Sequence, residues 1–476
     1  MAFSEVENTR SSLRDFQGLK VLAIKLWERQ VVEVAKKAKK IGKEDPRTII
    51  HSLKVAVALT LVSLFYYYQP LYDNFGVNAI WAVLTVVVVF EFSVGATLGK
   101  GFNRMLATLL AGALAIGGHH FATLFGERGE PILISTFVFI AAAITTFVRF
   151  FPLMKARYDY GLIIFILTFS LVSVSAYRDD GVVDIARSRL STIIIGSCIA
   201  IFVCIFIFPV WIGEDLHNLV AANMEKLGNS LQGFEGEYFQ IAGNEQSREY
   251  DRSFLHMYKN VLTTKSNEEN MANLARWEPC HGPFRFRHPW GQYIKVGTLN
   301  RQCAYKIEAL NSFLYSEMQT PVEIKIKIQE SCTNICSECD KALQELAAAI
   351  KKMVRSSSAN PHIAASKSVA ESLKSLLRTE LTGEDDVDLI EKVPVAAVAL
   401  LLIDIVKCIE NIEEAVHELA SLASFKIIDS IEEQPNLQRR GTVVVQPLEE
   451  QSHHAITVNE STTPENGNCL ATRVQV

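Results

Sequence analysis

The chain has 476 residues, a formal net charge of −5 and a mean hydropathy of +0.17, which is high for a wholly soluble protein. The net charge says nothing about a nucleic-acid partner, but the sequence has no basic stretch interleaved with aromatic residues of the kind that such binding needs. No GxSxG or HExxH motif and no spaced carboxylate pair stands out, so an enzyme is not predicted.

Apolar residues crowd between positions 49 and 211, which divides the chain into four predicted regions. Residues 1–48 form a cytosolic leader with a basic amphipathic helix and no cleavable signal peptide. Residues 49–211 form a transmembrane domain, and residues 212–430 form a cytosolic helical domain. The polar residues 431–476 form a disordered tail.

Six apolar segments of the transmembrane domain are predicted to cross the bilayer as helices, most of them near the minimum length. They are Ile49–Tyr68, Val77–Phe92, Gly95–Gly118, Ile132–Val148, Tyr160–Ala176 and Leu190–Trp211. The second is short, which predicts a tilted or broken helix. Basic residues in the leader and around Lys155 place both termini in the cytosol by the positive-inside rule.

Helical periodicity dominates the cytosolic region as well, so the whole chain is predicted to be all-α, with a six-helix membrane domain followed by a helical bundle. The four predicted bundle helices are Asp215–Phe239, Arg301–Met318, Val322–Met353 and Val387–Phe425. The apolar run Pro394–Ile403 has only ten residues and is predicted to be a buried helix, not a seventh span.

A segment dense in Pro, Gly and aromatic residues, 276–293, separates the predicted bundle helices. It contains Cys280, His281 and His288, but these lack the paired spacing of zinc ligands. The composition therefore predicts a rigid, packed loop in preference to a metal site.

The stretch 81–104 reads WAVLTVVVVFEFSVGATLGKGFNR and brings charge into an apolar region. On a helix, Lys100 and Arg104 lie on the same side, because residues four apart are neighbours. Gly95 and Gly99 share that spacing and allow another membrane helix to approach closely. Lipid does not accept such a cationic stripe, so the pattern predicts a wet, protein-lined cavity that favours anions.

Two alternatives to an anion cavity apply to this stretch. At the cytosolic end of a span, Lys100 and Arg104 would simply extend to the lipid headgroups, and this alternative stays open. The glycines resemble a phosphate-binding loop, but the spacing is one residue short and Gly101 replaces the required hydroxyl, so ATP binding is rejected. At the start of the sixth segment, Arg189 lies deeper than Arg187 and is the preferred third cation, with Arg187 an interfacial anchor.

The three predicted outer loops carry acidic residues. Asp73 lies in the first loop, Glu127 and Glu130 lie in the second, and Asp179, Asp180 and Asp184 lie in the third. Ordinary solvated loop charge accounts for such residues without any ligand. The alternative is a sensor for protons or for a hard cation, which carboxylate oxygens bind well.

With these features assigned, the sequence resembles the plant aluminium-activated malate transporter family over about 45–425. The resemblance lies in the block 81–104 and in TFVRFFP (146–152), DYGLIIFILTFSLVSVS (159–175), SRLST (188–192) and WEP (277–279). It implies a homodimeric anion channel in the lipid bilayer, with six membrane helices per subunit and a cytosolic helical domain. Malate is the characteristic permeant ion, and other small anions pass through some members.

The resemblance also implies site residues. The basic residues that line the family's pore fall on Lys100, Arg104 and Arg189. Some members respond to aluminium at the outer face through acidic residues, and this metal is the one ligand implied as an activator, with no cofactor required. The matching positions are Asp73, Asp180 and Asp184.

The modest leader favours the plasma membrane over the vacuolar membrane. Two functional alternatives remain open at this point. One is an ion-coupled secondary transporter of organic anions. The other is a membrane scaffold in which the cationic stripe only pairs with Glu91.

Overall fold

The structure is a computed structural model. It describes Trp27 and residues 29–69, 80–176, 182–239, 256–315, 322–382 and 389–427. The all-α prediction is confirmed, because these residues are almost entirely helical. The strands among them are two residues long each, β1 (Val354–Arg355) and β2 (Lys426–Ile427), and they pair in parallel.

Residues 46–206 contain six helices within the described ranges. They are α1 (Pro46–Tyr67), α2 (Ile80–Val89), α3 (Val94–Thr123), α4 (Gly126–Val148), α5 (Pro152–Ala176) and α6 (Val182–Phe206). All but α2 are long and apolar enough to cross a membrane. The second predicted segment is thus shorter than expected, because its helix has ten residues and rises only about 15 Å.

Short-range signals set the start of two of these helices. The Asp45 carboxylate accepts a hydrogen bond from the backbone N–H of Arg47 at 3.0 Å, and Pro46 opens α1, where a proline costs no hydrogen bond. Non-helical backbone separates α2 from α3, and the Ser93 hydroxyl then caps α3 by accepting from the N–H of Ala96. This break brings Glu91 next to the first turns of α3.

The second half is a helical bundle. Its helices in the described ranges are α7 (Ile212–Tyr238), α8 (Met257–Leu262), α9 (Lys265–Ala275), α10 (Trp290–Ser312), α11 (Val322–Lys352), α12 (Ala359–Thr382) and α13 (Leu389–Leu422), with a 3-10 turn at Phe313–Tyr315. One continuous apolar core joins them. The run Pro394–Ile403 lies inside α13, and its residues Val398 and Leu402 are fully buried, so the prediction of a core helix is confirmed.

The two halves touch through specific groups. The Arg47 guanidinium at the start of α1 donates to the Asp215 carboxylate in the first turn of α7, at 3.0 Å. Residues 29–44, before α1, are helical. Residues 1–26 and Glu28 of the predicted leader and the predicted tail 431–476 lie outside the described residues.

Candidate functional site

Lys100, the first of the three predicted pore cations, is neutralised by a neighbour. Its ammonium forms an ion pair with the Glu91 carboxylate, which the break before α3 places beside it. The same ammonium lies 5.6 Å from the ring centroid of Tyr160, on α5. Lys100 therefore lies among the membrane helices as one member of an ion pair with Glu91. The scaffold alternative requires this pairing.

Arg104, one turn further along α3, is buried and has no carboxylate partner among the described residues. Its side chain is only 5% exposed. Its Nη1 donates to the hydroxyl of Tyr160 at 3.1 Å, while its Nε has no hydrogen-bond partner in the described part of the chain. A buried guanidinium with an unused donor is poised to bind an anion.

Local packing accounts for the position of α5 against Arg104. The amide of Asn103 donates to the backbone oxygen of Arg157 at 2.9 Å and holds the start of α5 against α3. Gly161 allows the close approach, since a Cβ there would lie 3.3 Å from the Cβ of Asn103. Tyr160 is thereby fixed against the cationic face of α3.

Arg189 joins Arg104 from the neighbouring helix. Its guanidinium carbon lies 4.2 Å from the ring centroid of Trp81, a cation–π contact. Arg104 lies close enough to repel it electrostatically, and no carboxylate among the described residues acts on it. Arg187, two positions earlier, is exposed. The structure thus gathers two of the three predicted cations, with Lys100 paired close by.

A fourth cation, Lys54 on α1, is not among the residues predicted from the sequence. It is 1% exposed and sits in the apolar cluster that α1 forms with α2 and α6. A lysine inside the apolar run of a predicted span is itself a signal of function, and the sequence carries that signal.

The predicted acidic sensor lies mostly outside the described residues. Asp73 and Asp180 are not described, and Asp184 is described only as a position in α6, without its side chain. In the second predicted loop, Glu130 approaches the Nδ1 atom of His119 at 3.5 Å. No cluster of potential metal ligands occurs among the side chains that are described.

Glu278, in the WEP segment, forms a junction that the sequence did not reveal. Its carboxylate accepts backbone N–H bonds from Ile212 at 2.7 Å and from Gly213 at 3.1 Å, both at the start of α7, and interacts with the N–H of Gly95 at the start of α3. Burial raises its pKa to about 7, although these N–H groups act in the opposite direction. One buried carboxylate therefore joins the first turns of two helices.

The glycines of α3 serve this junction, which corrects the prediction that they face another membrane helix. A Cβ at Gly99 would lie 3.1 Å from the indole of Trp277, and a Cβ at Gly95 would collide with the backbone oxygen of Leu274. Both neighbours belong to the end of α9 and the turn that follows it. Gly95 and Gly99 thus allow the bundle to pack closely against α3.

The loop after this junction is packed at Phe284 and His288, while Phe286 and several other residues of the segment predicted to be a packed loop are exposed. The hydroxyl of Tyr293 contacts the Nδ1 atom of His217 at 2.9 Å and the Nε2 atom of His288 at 3.1 Å. Burial lowers the pKa of both histidines to about 4. They are therefore neutral near pH 7, and their role is structural.

Comparison with known proteins identifies relatives over most of the chain. Residues 39–382 match the family model described as "Aluminium activated malate transporter". Aluminum-activated malate transporter 2 of Arabidopsis thaliana is 51% identical over 435 residues, which cover 90% of this chain and 85% of the relative. Aluminum-activated malate transporter 1 of Triticum aestivum is 45% identical over 404 residues, which cover 82% of this chain and 86% of the relative.

Proposed function

The chain belongs to the aluminium-activated malate transporter family, and from that premise we propose that it is a channel through which malate and other small anions cross a membrane passively. It is a multi-pass membrane protein, so the membrane voltage can act directly on a permeating ion. A malate dianion that crosses the full field gains about 4.6 kcal/mol per 100 mV, twice the value for a single charge. No ATP site is needed for such transport.

The observation that carries this proposal is the pair of guanidinium groups of Arg104 and Arg189. They belong to different helices, repel each other, and have no carboxylate counter-charge among the described residues. An anion between them would relieve the repulsion and replace its own lost hydration with N–H donors in the fork geometry that suits carboxylates. Tyr160 holds Arg104 in place, so little ordering is required when the anion arrives.

Lys100 has a smaller part in this scheme than the sequence alone implied. Its pairing with Glu91 cancels its charge at long range. It contributes to an anion only when that pair opens, and its partner then becomes repulsive. Transport therefore depends most on Arg104 and Arg189.

Purified protein in planar bilayers tests the proposal. We expect malate conductance in the wild type and a loss of at least about tenfold in Arg104→Gln and in Arg189→Gln, because each removes a cation that compensates the anion's desolvation. Arg187→Gln is the matched control and should retain conductance, since that residue is exposed. Wild-type conductance in both arginine variants would contradict the proposal.

A second candidate, a proton-coupled transporter of organic anions, is favoured by one feature. Glu91, in the break between α2 and α3, interacts electrostatically with His51 of α1, and intramembrane carboxylates and histidines often carry protons in transporters. A coupled transporter would show a reversal potential that moves with the proton gradient, whereas a channel reverses according to the anion gradient alone. Glu91→Gln would abolish coupling in the first case, but would leave passive malate current in the second.

We extend the proposal to activation by trivalent aluminium at the outer face. The support is the sequence pattern of Asp73, Asp180 and Asp184, whose carboxylate oxygens suit a hard cation. External aluminium at mildly acidic pH should increase malate current in the wild type. It should leave the triple asparagine variant at its basal current, and an unresponsive wild type would remove aluminium as a ligand of this protein.

The assembly and location belong to the same proposal: a homodimer in the plasma membrane, with both termini in the cytosol. The basic leader supports this orientation by the positive-inside rule. Mass photometry of the protein in nanodiscs should give the mass of two chains. Fluorescent fusions in plant cells should label the cell boundary, and labelling of the vacuolar membrane would contradict the location.

A further inference from the structure

Lys54 is a buried cation to which neither the family resemblance nor the proposed pore assigns a role. It lies on α1 and exposes 1% of its surface, which places it among the largest fully buried side chains of the described residues. Its surroundings are mostly apolar, since Ala58, one turn further along α1, belongs to a buried apolar cluster with Val86 and Cys204. Burying a charged lysine in such surroundings is costly unless a counter-charge is present.

The described residues supply no such counter-charge. Lys54 has no ion pair or hydrogen bond among them. The Cys204 side chain lies near it, but a neutral thiol supplies no counter-charge. Glu91, which acts on the same neighbour His51 as Lys54 does, is already paired with Lys100. One turn earlier on the same helix, His51 interacts unfavourably with Lys54.

The cations lie at successive levels along the membrane helices. Thr97 and Cys204 are in contact, with their Oγ1 and Sγ atoms 3.5 Å apart. Ala58, one turn after Lys54 on α1, packs in the same apolar cluster as Cys204, so Lys54 lies near this level. A Cβ at Gly112 would touch Ala186, so α3 and α6 run antiparallel from that contact. Arg104 lies about 10 Å further along α3 than Thr97, and Arg189 lies about 22 Å back along α6 from Cys204.

Lys54 thus stands at one end of a row of cations. That end carries the bundle, because Arg47, about 10 Å before Lys54 on α1, contacts Asp215 of α7. In a row of weak ion sites, repulsion between neighbouring ions pushes each ion to the next site. No site then holds its ion too tightly for release. A buried cation at the bundle end suits the first member of such a row.

We propose that Lys54 forms a separate site for small carboxylate anions at the bundle end of the membrane helices, one step before Arg104 and Arg189. This inference rests on the proposed function, since it treats the bound anion as the permeating one. The ammonium supplies a single charge without the paired N–H donors of a guanidinium. The site therefore binds the anion weakly and releases it toward Arg104 and Arg189.

The competing hypothesis is a structural pair between Lys54 and the Cys204 thiol, and the two hypotheses differ in which variants matter. If Lys54 serves only the structural pair, Cys204→Ala and Lys54→Met cause the same loss of malate binding and conductance. If Lys54 serves an anion, Cys204→Ala has little effect, and Lys54→Met does not lower the melting temperature, because it removes an uncompensated buried charge.

The experiment uses the full chain in vesicles and malate as the probe, applied to one side at a time. We expect Lys54→Met and Lys54→Gln to raise the half-saturating malate concentration at least about fivefold for entry from the bundle side, with less than about a twofold change from the other side. Lys54→Arg keeps the charge and should stay within about twofold. The control Lys155→Met removes an exposed lysine of α5 and should not alter either side.

Direct malate binding to the same variants in nanodiscs separates this site from the channel. Weakened binding in Lys54→Met, with a wild type that binds but does not conduct, supports the site and overturns the channel. If conductance and binding are unchanged in Lys54→Met and in Lys54→Gln, the site is overturned and the channel proposal stands. Equal losses in Cys204→Ala and Lys54→Met, or a wild type that neither binds nor conducts malate, also overturn the site.

Discussion

Glu278 shows how one side chain can join a membrane helix to a bundle. Its side chain is 1% exposed, and its two oxygens accept the N–H groups of Ile212 and Gly213 at the positive end of α7. Those donors favour the charged carboxylate, but burial outweighs them, so the pKa rises from its ordinary 4.5 to about 7. The junction therefore changes its protonation near neutral pH.

This shift predicts a pH dependence of stability. Between pH 4.5 and about 7 the folded state holds a proton at Glu278 that the unfolded chain releases, so the free energy of unfolding falls as the pH rises through this window. The effect is about 3 kcal/mol at most. The melting temperature should follow it in the wild type and should lose this dependence in Glu278→Gln. Glu214→Gln, at an exposed neighbour, is the control, and an equal pH slope in Glu278→Gln would contradict the assignment.

The positions of the site residues follow from local sequence spacing, whereas several of their contacts come from parts of the chain that are distant in sequence. Lys100 and Arg104 were predicted because helical spacing is local information. The pairing with Glu91 depends on a break between helices, and the contact with Tyr160 depends on how α5 packs. Sequence spacing encodes neither, so the fact that Lys100 has a carboxylate partner while Arg104 has none among the described residues emerged only from the structure.

At the scale of elements, α3 is shared by both halves of the molecule. Its cationic residues face α5 and α6, while its first turns lie against the WEP segment. Gly99 is the point of closest approach to Trp277. A movement of the bundle therefore reaches the helix that carries Arg104 without passing through a flexible connection.

Substitution of Gly99 by leucine tests this contact. The added side chain would displace Trp277 from α3, and overpacking of this kind costs about 1–3 kcal/mol. We expect a lower melting temperature and reduced malate current in Gly99→Leu, with partial rescue by Trp277→Ala in the same chain. Gly117→Leu is the control, because nothing lies within 4 Å of a Cβ at that glycine. Equal behaviour of the two leucine variants would show that the contact is unimportant.

The predicted helices were correct where apolar residues recur with helical spacing over many residues. They were missed or misplaced where that pattern is short or interrupted by polar residues. α7, α11 and α13 fall close to their predicted bounds. α12 was missed because serines and lysines dilute its apolar face, and α10 begins at Trp290, inside the segment interpreted as a loop. There, burial of aromatic residues outweighs the turn signals of the neighbouring proline and glycine.

At the scale of the whole molecule, the ion pair of Arg47 and Asp215 adds a second link between the halves. It is partly exposed, so its own contribution to stability is below about 1 kcal/mol. Its importance is geometric, because it fixes the start of α1 relative to α7. Changes at this position should thus affect coupling more than stability.

A charge exchange tests the link. Arg47→Glu places two carboxylates together and should reduce malate current severalfold, while the melting temperature changes little. The double variant Arg47→Glu with Asp215→Arg restores opposite charges and should recover most of the current. Lys40→Glu, in the helical segment before α1, is the control. A double variant as defective as the single one would count against an electrostatic link.

The short helix α2 has a further consequence for the lipid around the protein. Its ten residues rise about 15 Å, half of the roughly 30 Å of a hydrocarbon layer. Hydrophobic mismatch at this place would favour local thinning of the bilayer. Acyl-chain length then becomes a variable that acts on the protein, and membranes of shorter lipids should accommodate α2 with less distortion than membranes thickened by sterols.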